Sequence, residues 1–299
     1  MDFHDRNFYY LIVTLSTPDL AGGKSQQFTI ASLDSVFTFH KPPPQLANFV
    51  ECFWIHEGSV AGEATEQILP TGTFELVINL RDDDLRFHDS DRGRVSRFSG
   101  AIISGAHSRR LAPADTNAVS LIGIHFKPGG AFPFLAQPAG ELADTHVDLQ
   151  TLWGQAARRV RERIWEAKTS AERFRVLEDA VVARMRDGVK QHYAVPAALE
   201  MFGNNHVGPK VREAAKYIGL SERRFIETFK MEVGLTPKLF SRIQRFQRTR
   251  RVIQKDHSPD WAELALNLGY FDQSHLIREF LEFSGVSPTE YLHRQRAFV

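Results

Sequence analysis

The spacing of apolar residues changes twice along the chain. Between residues 37 and 127, short runs rich in Val, Ile and Phe ("FVECFWIHE", "TFELVINL", "RFSGAIISG" and "AVSLIGIHF") are separated by the turn-formers "KPPP", "PTG", "RDDD" and "KPGG". That spacing predicts antiparallel sheets, arranged as a sandwich or partial barrel. From 131 to 187 the period lengthens. "LQTLWGQAARRVRERIWEA" and "SAERFRVLEDAVVARMRD" place apolar residues three and four apart, which predicts two amphipathic helices, the second capped by Ser170 with Glu172 in its first turn. Their stripes, Trp153, Val160 and Ile164 on one and Phe174, Leu177 and Val181 on the other, suit a core or a subunit contact. Gly188 and the stretch Gly203 to Pro209 bracket a short helix around residues 196 to 202 and mark a boundary. Beyond it the pattern is helical throughout. The expected class is α+β: residues 37–190 form a mainly antiparallel β domain followed by two helices, and 191–299 form an all-α domain. Residues 1–36 are an N-terminal extension in which "AGGKSQQ" reads as a loop.

The helical part carries one arrangement twice. "GLSERRFIETFKMEVGLTP" begins at Gly219 and "GYFDQSHLIREFLEFSGVSP" at Gly269, an offset of 50; Phe229 and Phe280, Gly234 and Gly285, and Pro237 and Pro288 are offset by 51. One residue has been added inside the second turn. In the first unit, about 208–232, "KVREAAKYIG" directs Val211, Ala214, Ala215 and Ile218 inward and stops at Gly219, where a left-handed conformation closes the helix. Ser221 caps the next helix, in which Phe225 and Phe229 face inward. Thr236 and Pro237 open a long linker helix, about 236–255. The second unit, about 259–283, starts at Ser258-Pro259, ends its first helix at Gly269, caps the next with Asp272, and turns Leu276, Phe280 and Phe283 inward. Two helices joined by a tight turn, the second with one apolar and one polar face, form the helix-turn-helix plan.

Charge sharpens this picture. The chain of 299 residues has a formal charge of only +1, but residues 210–255 hold 13 Lys/Arg against 4 Asp/Glu, and residues 256–299 hold 3 against 7. A local cationic cluster on an otherwise acidic chain is the footprint of phosphate binding. The alternative is a solvated helical face. No run approaches the roughly 18 apolar residues of a membrane span, and acids stand near the start where an export signal needs a basic region, so the run Phe8 to Leu15 reads as a strand. A single cysteine, Cys52, excludes an internal disulfide and any multi-cysteine metal cage. These features suit a cytoplasmic protein without a membrane partner.

The doubled unit resembles the DNA-binding domain of the arabinose-operon regulator (AraC/XylS) family of bacterial transcription factors over about residues 195 to 296. "LALNLGYFDQSHLIREFLEFSGVSPTEYL" follows the family pattern of Ala, Gly-aromatic, Ser-His, Phe, Gly-x-Ser-Pro and Tyr. The N-terminal part, from "FTFHKPPPQLANFVECFWIHEG" through "ILPTGTFELVINL" to "IGIHFKPGGAFPFLAQPAGELADTHVDL", is similar to a poorly characterised domain in one branch of that family, with Thr71 where an acid is common. The resemblance implies about seven C-terminal helices, two reading helices held by the central one in successive major grooves, and double-stranded DNA and RNA polymerase as partners. It gives Arg245 a structural or backbone-contacting role.

Candidate contacts follow from helix geometry at 100° per residue. Arg223, Ile226 and Glu227 in the first unit and Gln273, Ser274, Ile277 and Arg278 in the second face away from the apolar stripe and are the expected base readers. Arginine suits guanine N7 and O6, glutamine and serine suit several bases, and isoleucine suits a thymine methyl. Glu227 either accepts from cytosine N4 or pairs with Arg223 or Lys230 on its own helix. Arg224, Lys230, Arg242, Arg245, Arg248 and Arg251 are candidates for phosphate or linker roles. On the linker, Leu239, Ile243, Phe246 and Val252 supply an apolar face, with Arg250 and Lys255 among the cations around the remainder. In the β part, Trp54, Glu75 and His125 are candidates to line an effector pocket, alongside a packing role for such residues. His40, Cys52, His56 and His107 complete a polar set whose spacing matches no metal-ligand pair, so no metal or other cofactor is expected. The chain lacks a Gly-x-Ser-x-Gly elbow, a phosphate loop and a His-Glu-x-x-His helix. The expected function is a transcriptional regulator controlled by a small-molecule effector or by homodimerisation through residues 37–190. A constitutive DNA binder with a dimerisation-only β domain, or an enzyme-like domain fused to a DNA-binding domain, is the alternative.

Overall fold

The structure, a computed structural model, describes residues 27–31, 35–58, 68–89, 94–113, 119–185, 191–204, 208–256 and 259–296. The strand expected at Phe8 to Leu15 lies outside them. Ten strands form two antiparallel sheets. The larger contains β1 (Gln27–Ala31), β2 (Ser35–His40), β3 (Val50–Gly58), β4 (Glu75–Asn79), β7 (Ala101–Ser104), β9 (Val119–Phe126) and β10 (His146–Asp148), in the order β1-β2-β3-β9-β4-β7-β10. The smaller is β6 (Arg94–Phe98), β5 (Leu85–Asp89) and β8 (Ala112–Pro113), in that order. The extension expected over 1–36 thus contributes β1, paired along its length with β2.

Successive side chains of a strand point to opposite faces, so the large sheet serves two cores. Phe53, Ile55, Leu76, Ile78, Ile103, Ile122 and Ile124 fall on the face that joins the helices. Phe37, Phe39, Cys52, Trp54, Val77 and Ile102 fall on the other face, against Leu85, Phe87 and Phe98 of the small sheet. The first face is covered by α1 (Leu149–Trp153), α2 (Gln155–Glu166) and α3 (Ser170–Arg184). Trp153, Val160, Ile164, Phe174, Leu177 and Val181 are buried there, so their stripes are core. Two local expectations are corrected. The first helix is broken at Gly154, whose φ of 56° ends α1 and starts α2. The cap of α3 is Thr169, not Ser170: its hydroxyl accepts from Glu172 N while the Glu172 carboxylate accepts from Thr169 N, a reciprocal pair that satisfies two exposed donors.

Seven helices follow among the described residues: α4 (Ala194–Asn204), α5 (Val211–Ile218), α6 (Glu222–Val233), α7 (Pro237–Lys255), α8 (Trp261–Asn267), α9 (Gln273–Ser284) and α10 (Pro288–Arg296). Phe229 meets Phe202 of α4 and Phe240 of α7, while Phe246 of α7 meets Phe280 and Phe283 of α9. The long helix therefore holds one unit at each end. Its apolar face ends on buried Ile253 rather than Val252, which is exposed. The core runs without interruption from the helix-facing side of the large sheet into this bundle.

That continuity has a specific seam. Residues 70–74, leading into β4, lie on α7: Gln247 Nε2 donates to Pro70 O at 2.6 Å, Gln244 Nε2 donates to Thr71 O at 3.1 Å, and a Cβ at Gly72 would lie 3.2 Å from the Phe240 ring. A 3-10 turn at Ala139–Glu141 lies against α6, where a Cβ at Gly140 would come within 3.0 Å of Lys230.

Candidate nucleic-acid interface

The two units are built by the same local chemistry. In the first, Gly219 at φ 83° closes α5, and Ser221 Oγ accepts from Arg224 N at 3.3 Å to start α6. In the second, Asp260 Oδ1 accepts from Ala262 N and Glu263 N at 2.9 and 3.1 Å, so Asp260 caps α8. Gly269, at φ 76°, makes the turn, and Asp272 Oδ1 accepts from His275 N at 2.7 Å to start α9. Phe225, Phe229, Leu276, Phe280 and Phe283 are all buried.

The opposite faces are open. Arg223, Glu227, Gln273, Ser274 and Arg278 are exposed, with Ile226 and Ile277 half-buried beside them. Around the first set, Glu222, Arg223, Ile226 and Glu227 line a surface concavity of about 540 Å³. Glu227 pairs with Arg223, whose Nε donates to Oε1 at 2.9 Å, and that contact raises the already high pKa of the guanidinium. With Arg223 88% exposed, the pair sits in water and is easily exchanged for a base or phosphate.

The linker arginines divide differently from the expected phosphate row. Arg245 Nε and Nη2 donate to Glu279 Oε1 and Oε2 at 2.9 and 2.7 Å, and Arg245 Nη1 donates to Gly269 O at 3.1 Å. Arg242 Nε donates to Glu279 Oε2 at 2.8 Å and its Nη2 to Glu282 Oε2 at 2.5 Å. Glu279 is 3% exposed, so this is a buried, charge-assisted clamp between α7 and α9. Arg245 also lies 4.5 Å over the Tyr270 ring, and Tyr270 Oη shares a 2.9 Å hydrogen bond with Thr249 Oγ1. Burial pushes the Tyr270 hydroxyl up to about 12, which keeps it protonated.

Arg248 Nη1 donates to Phe202 O and Gly203 O at 3.0 and 3.3 Å, satisfying the end of α4. Arg251 Nε donates to Gln247 O at 3.4 Å on its own helix. Arg250, expected on the solvated side, is 1% exposed and belongs to the interior. Burial lowers the pKa of both Arg248 and Arg251, and neighbouring cations lower it further. Arg224 and Lys230 stay on the surface, the stem of Lys230 lying along Gly140. Three of the six cations chosen for phosphate or linker roles, Arg242, Arg245 and Arg248, thus bond to other elements of the bundle, and Arg251 bonds back to its own helix. Glu279, Glu282, Gln244 and Gln247 were missed. Glu279 had a signal: it is an acid on the inward stripe that also contains Leu276, Phe280 and Phe283.

In the β domain, Trp54, Glu75 and His125 do converge. Trp54 Nε1 donates to Glu75 Oε2 at 3.3 Å, and His125 Nδ1 contacts Glu75 Oε1 directly. All three are buried, and Cys52 stands opposite His125 in the β3–β9 ladder. Burial alone would depress His125, but the Glu75 carboxylate more than offsets it and raises the pKa, whereas burial and the same carboxylate raise the Cys52 thiol. On the same sheet face, burial lowers His56 and His107 to about 4 and His146 to about 3, so these three are neutral imidazoles near pH 7. Ser104 Oγ bonds His107 Nε2 at 2.9 Å, and His146 stacks on Phe87 at 4.0 Å. No group of three metal-ligating side chains occurs among the described residues.

Two family models match parts of the chain. Residues 214–294 match the family model described as a helix-turn-helix domain (HTH_18), and residues 38–148 match a domain of unknown function, DUF6597. Among solved structures, ToxT from Vibrio cholerae aligns over 78% of this chain and 95% of its own at 9% identity, with a TM-score of 0.44. A transcriptional regulator with an AraC-type DNA-binding domain from Chromobacterium violaceum aligns over 35% of this chain and 92% of its own at 23% identity, with a TM-score of 0.31. No curated protein matches the chain. The protein is a DNA-binding transcriptional regulator. More particularly, residues 214–294 form a helix-turn-helix domain in which the unit occurs twice. No helix among the described residues is long and apolar enough to cross a membrane.

Proposed function

We propose that the regulator binds a two-part operator through the exposed faces of α6 and α9, and that its β domain adjusts DNA binding in response to a small-molecule effector. Arg223, Ile226 and Glu227 read one half; Gln273, Ser274, Ile277 and Arg278 read the other. Arg224 and Lys230 reach phosphates beside the first half, and the clamp of Arg242 and Arg245 on Glu279 presents the second helix at a set angle.

One observation carries the regulatory part: the β domain touches the C-terminal glycine of both reading helices. A Cβ at Gly234 would lie 3.0 Å from Phe74 and 3.4 Å from Ala106, and a Cβ at Gly285 would collide with the Arg110 guanidinium. Phe74 directly precedes Glu75, which bonds Trp54 and His125 in the interior. An effector that altered the partners of Glu75 would therefore act one residue away from the end of α6. Packed interfaces respond to such changes by switching rather than by yielding gradually.

The test is a panel of small metabolites screened by thermal unfolding of the full chain, followed by gel shifts with a duplex selected by the chain from random sequence. A stabilising compound is expected to change DNA affinity by fivefold or more, roughly 1 kcal/mol of coupling, and Glu75→Gln is expected to lose both effects. If compounds that stabilise the chain leave affinity unchanged, control through the β domain is wrong.

A further inference from the structure

The residue added to the second turn is Phe271. Gly219, Leu220 and Ser221 of the first unit correspond to Gly269, Tyr270 and Asp272, which leaves Phe271 without a counterpart. Tyr270 is buried and Asp272 is fixed as the cap of α9, so the extra residue bulges outward between them. Its side chain is 85% exposed, the most exposed large apolar side chain among the described residues.

Its backbone is nonetheless held. Phe271 N donates to His275 Nδ1 at 3.2 Å, His275 N donates to Asp272 Oδ1, and the His275 ring meets the Tyr270 ring edge-on at 5.4 Å. The turn thus presents an aromatic ring from a fixed point directly before the first turn of the reading helix. A helix-turn-helix inserts that end of its second helix into the major groove. The apolar group exposed in the groove is the thymine C5-methyl. Charge favours an apolar contact here as well: the second half of the domain holds 3 Lys/Arg against 7 Asp/Glu and has little cationic attraction to offer.

We propose that Phe271 is a specificity-determining contact that packs on a thymine methyl at the edge of the half-site read by α9. The proposal rests on the reading that α9 enters a groove. The ring buries apolar surface only when DNA is bound, so its removal costs the free protein nothing in packing.

The experiment uses the full chain and its selected duplex, with Phe271→Ser, Phe271→Tyr and Arg278→Ala, and with each thymine of the α9 half replaced in turn by deoxyuridine, which lacks the methyl. Thermal unfolding of Phe271→Ser is expected to match that of the parent. Its affinity is expected to fall about tenfold, Phe271→Tyr is expected to retain binding, and one deoxyuridine is expected to weaken the parent by a similar factor without affecting Phe271→Ser. If Arg278→Ala weakens binding but Phe271→Ser does not, or if no deoxyuridine distinguishes the two proteins, the contact is refuted while groove reading stands. If neither variant changes affinity, groove reading by α9 fails and the proposal falls with it.

Discussion

At the residue scale, burial decides which charged groups are available to DNA. Glu232 lies on the inward side of α6, where its carboxylate accepts from His192 N at 2.9 and 3.2 Å. Desolvation pushes its pKa up to about 7, opposed by that amide. A carboxyl group whose folded pKa lies above its unfolded value of about 4.5 binds more protons in the native state. It therefore favours folding below about pH 4.5 and loses that contribution as pH rises through 7. Glu232→Gln keeps an acceptor for His192 without the titration. Its unfolding free energy in urea should gain on the parent's between pH 4.5 and 7, by up to about 3 kcal/mol; parallel curves would refute the assignment. Glu232 was invisible in the sequence, where it is one acid in a charged stretch. The exposure of Arg223 and Glu227 was legible because helical period alone places them opposite Phe225 and Phe229. Burial of Arg250 was not, since a straight pattern cannot show that α7 is covered from several sides.

At the element scale, caps and glycines were readable and the partners across elements were not. Ser221, Thr236, Asp272 and the turn glycines act within a few residues of themselves, so local chemistry identifies them. The break at Gly154 and the preference for Thr169 and Asp260 as caps depend on which neighbouring donor each side chain reaches, a choice that one residue of slippage reverses. The α7–α9 clamp joins residues 34 to 40 positions apart, and nothing short-range reveals it. Its energetic consequence is asymmetric: Glu279→Ala leaves Arg242 and Arg245 partly buried without their shared carboxylate. Breaking a buried pair in this way costs about 3–5 kcal/mol, reduced here because both arginines retain some solvent contact. The expected loss, measured by urea unfolding, is about 2–4 kcal/mol, and a loss below about 0.5 kcal/mol would mean that the clamp does not hold α9.

At the scale of the whole molecule, the strands, the domain order and the doubled unit were legible because each repeats a simple period. The seam was not. Pro70, Thr71 and Gly72 read as an ordinary turn, and only the fold shows that Gln247 and Gln244 bind it while Phe74 and Arg110 approach the ends of α6 and α9. The second face of the large sheet was equally hidden, because its buried histidines and Trp54 look like scattered polar residues until the small sheet covers them. The central claim is that one chain presents two reading helices as a fixed pair to one side of DNA. Gel shifts with the selected duplex and with versions carrying 5 extra base pairs between its halves test it directly. Half a helical turn rotates one half-site to the opposite side of the duplex, given about 10–10.5 base pairs per turn. Affinity is expected to fall to that of a duplex with one half scrambled, a loss on the order of 100-fold. Equal affinity for the two spacings would contradict the claim.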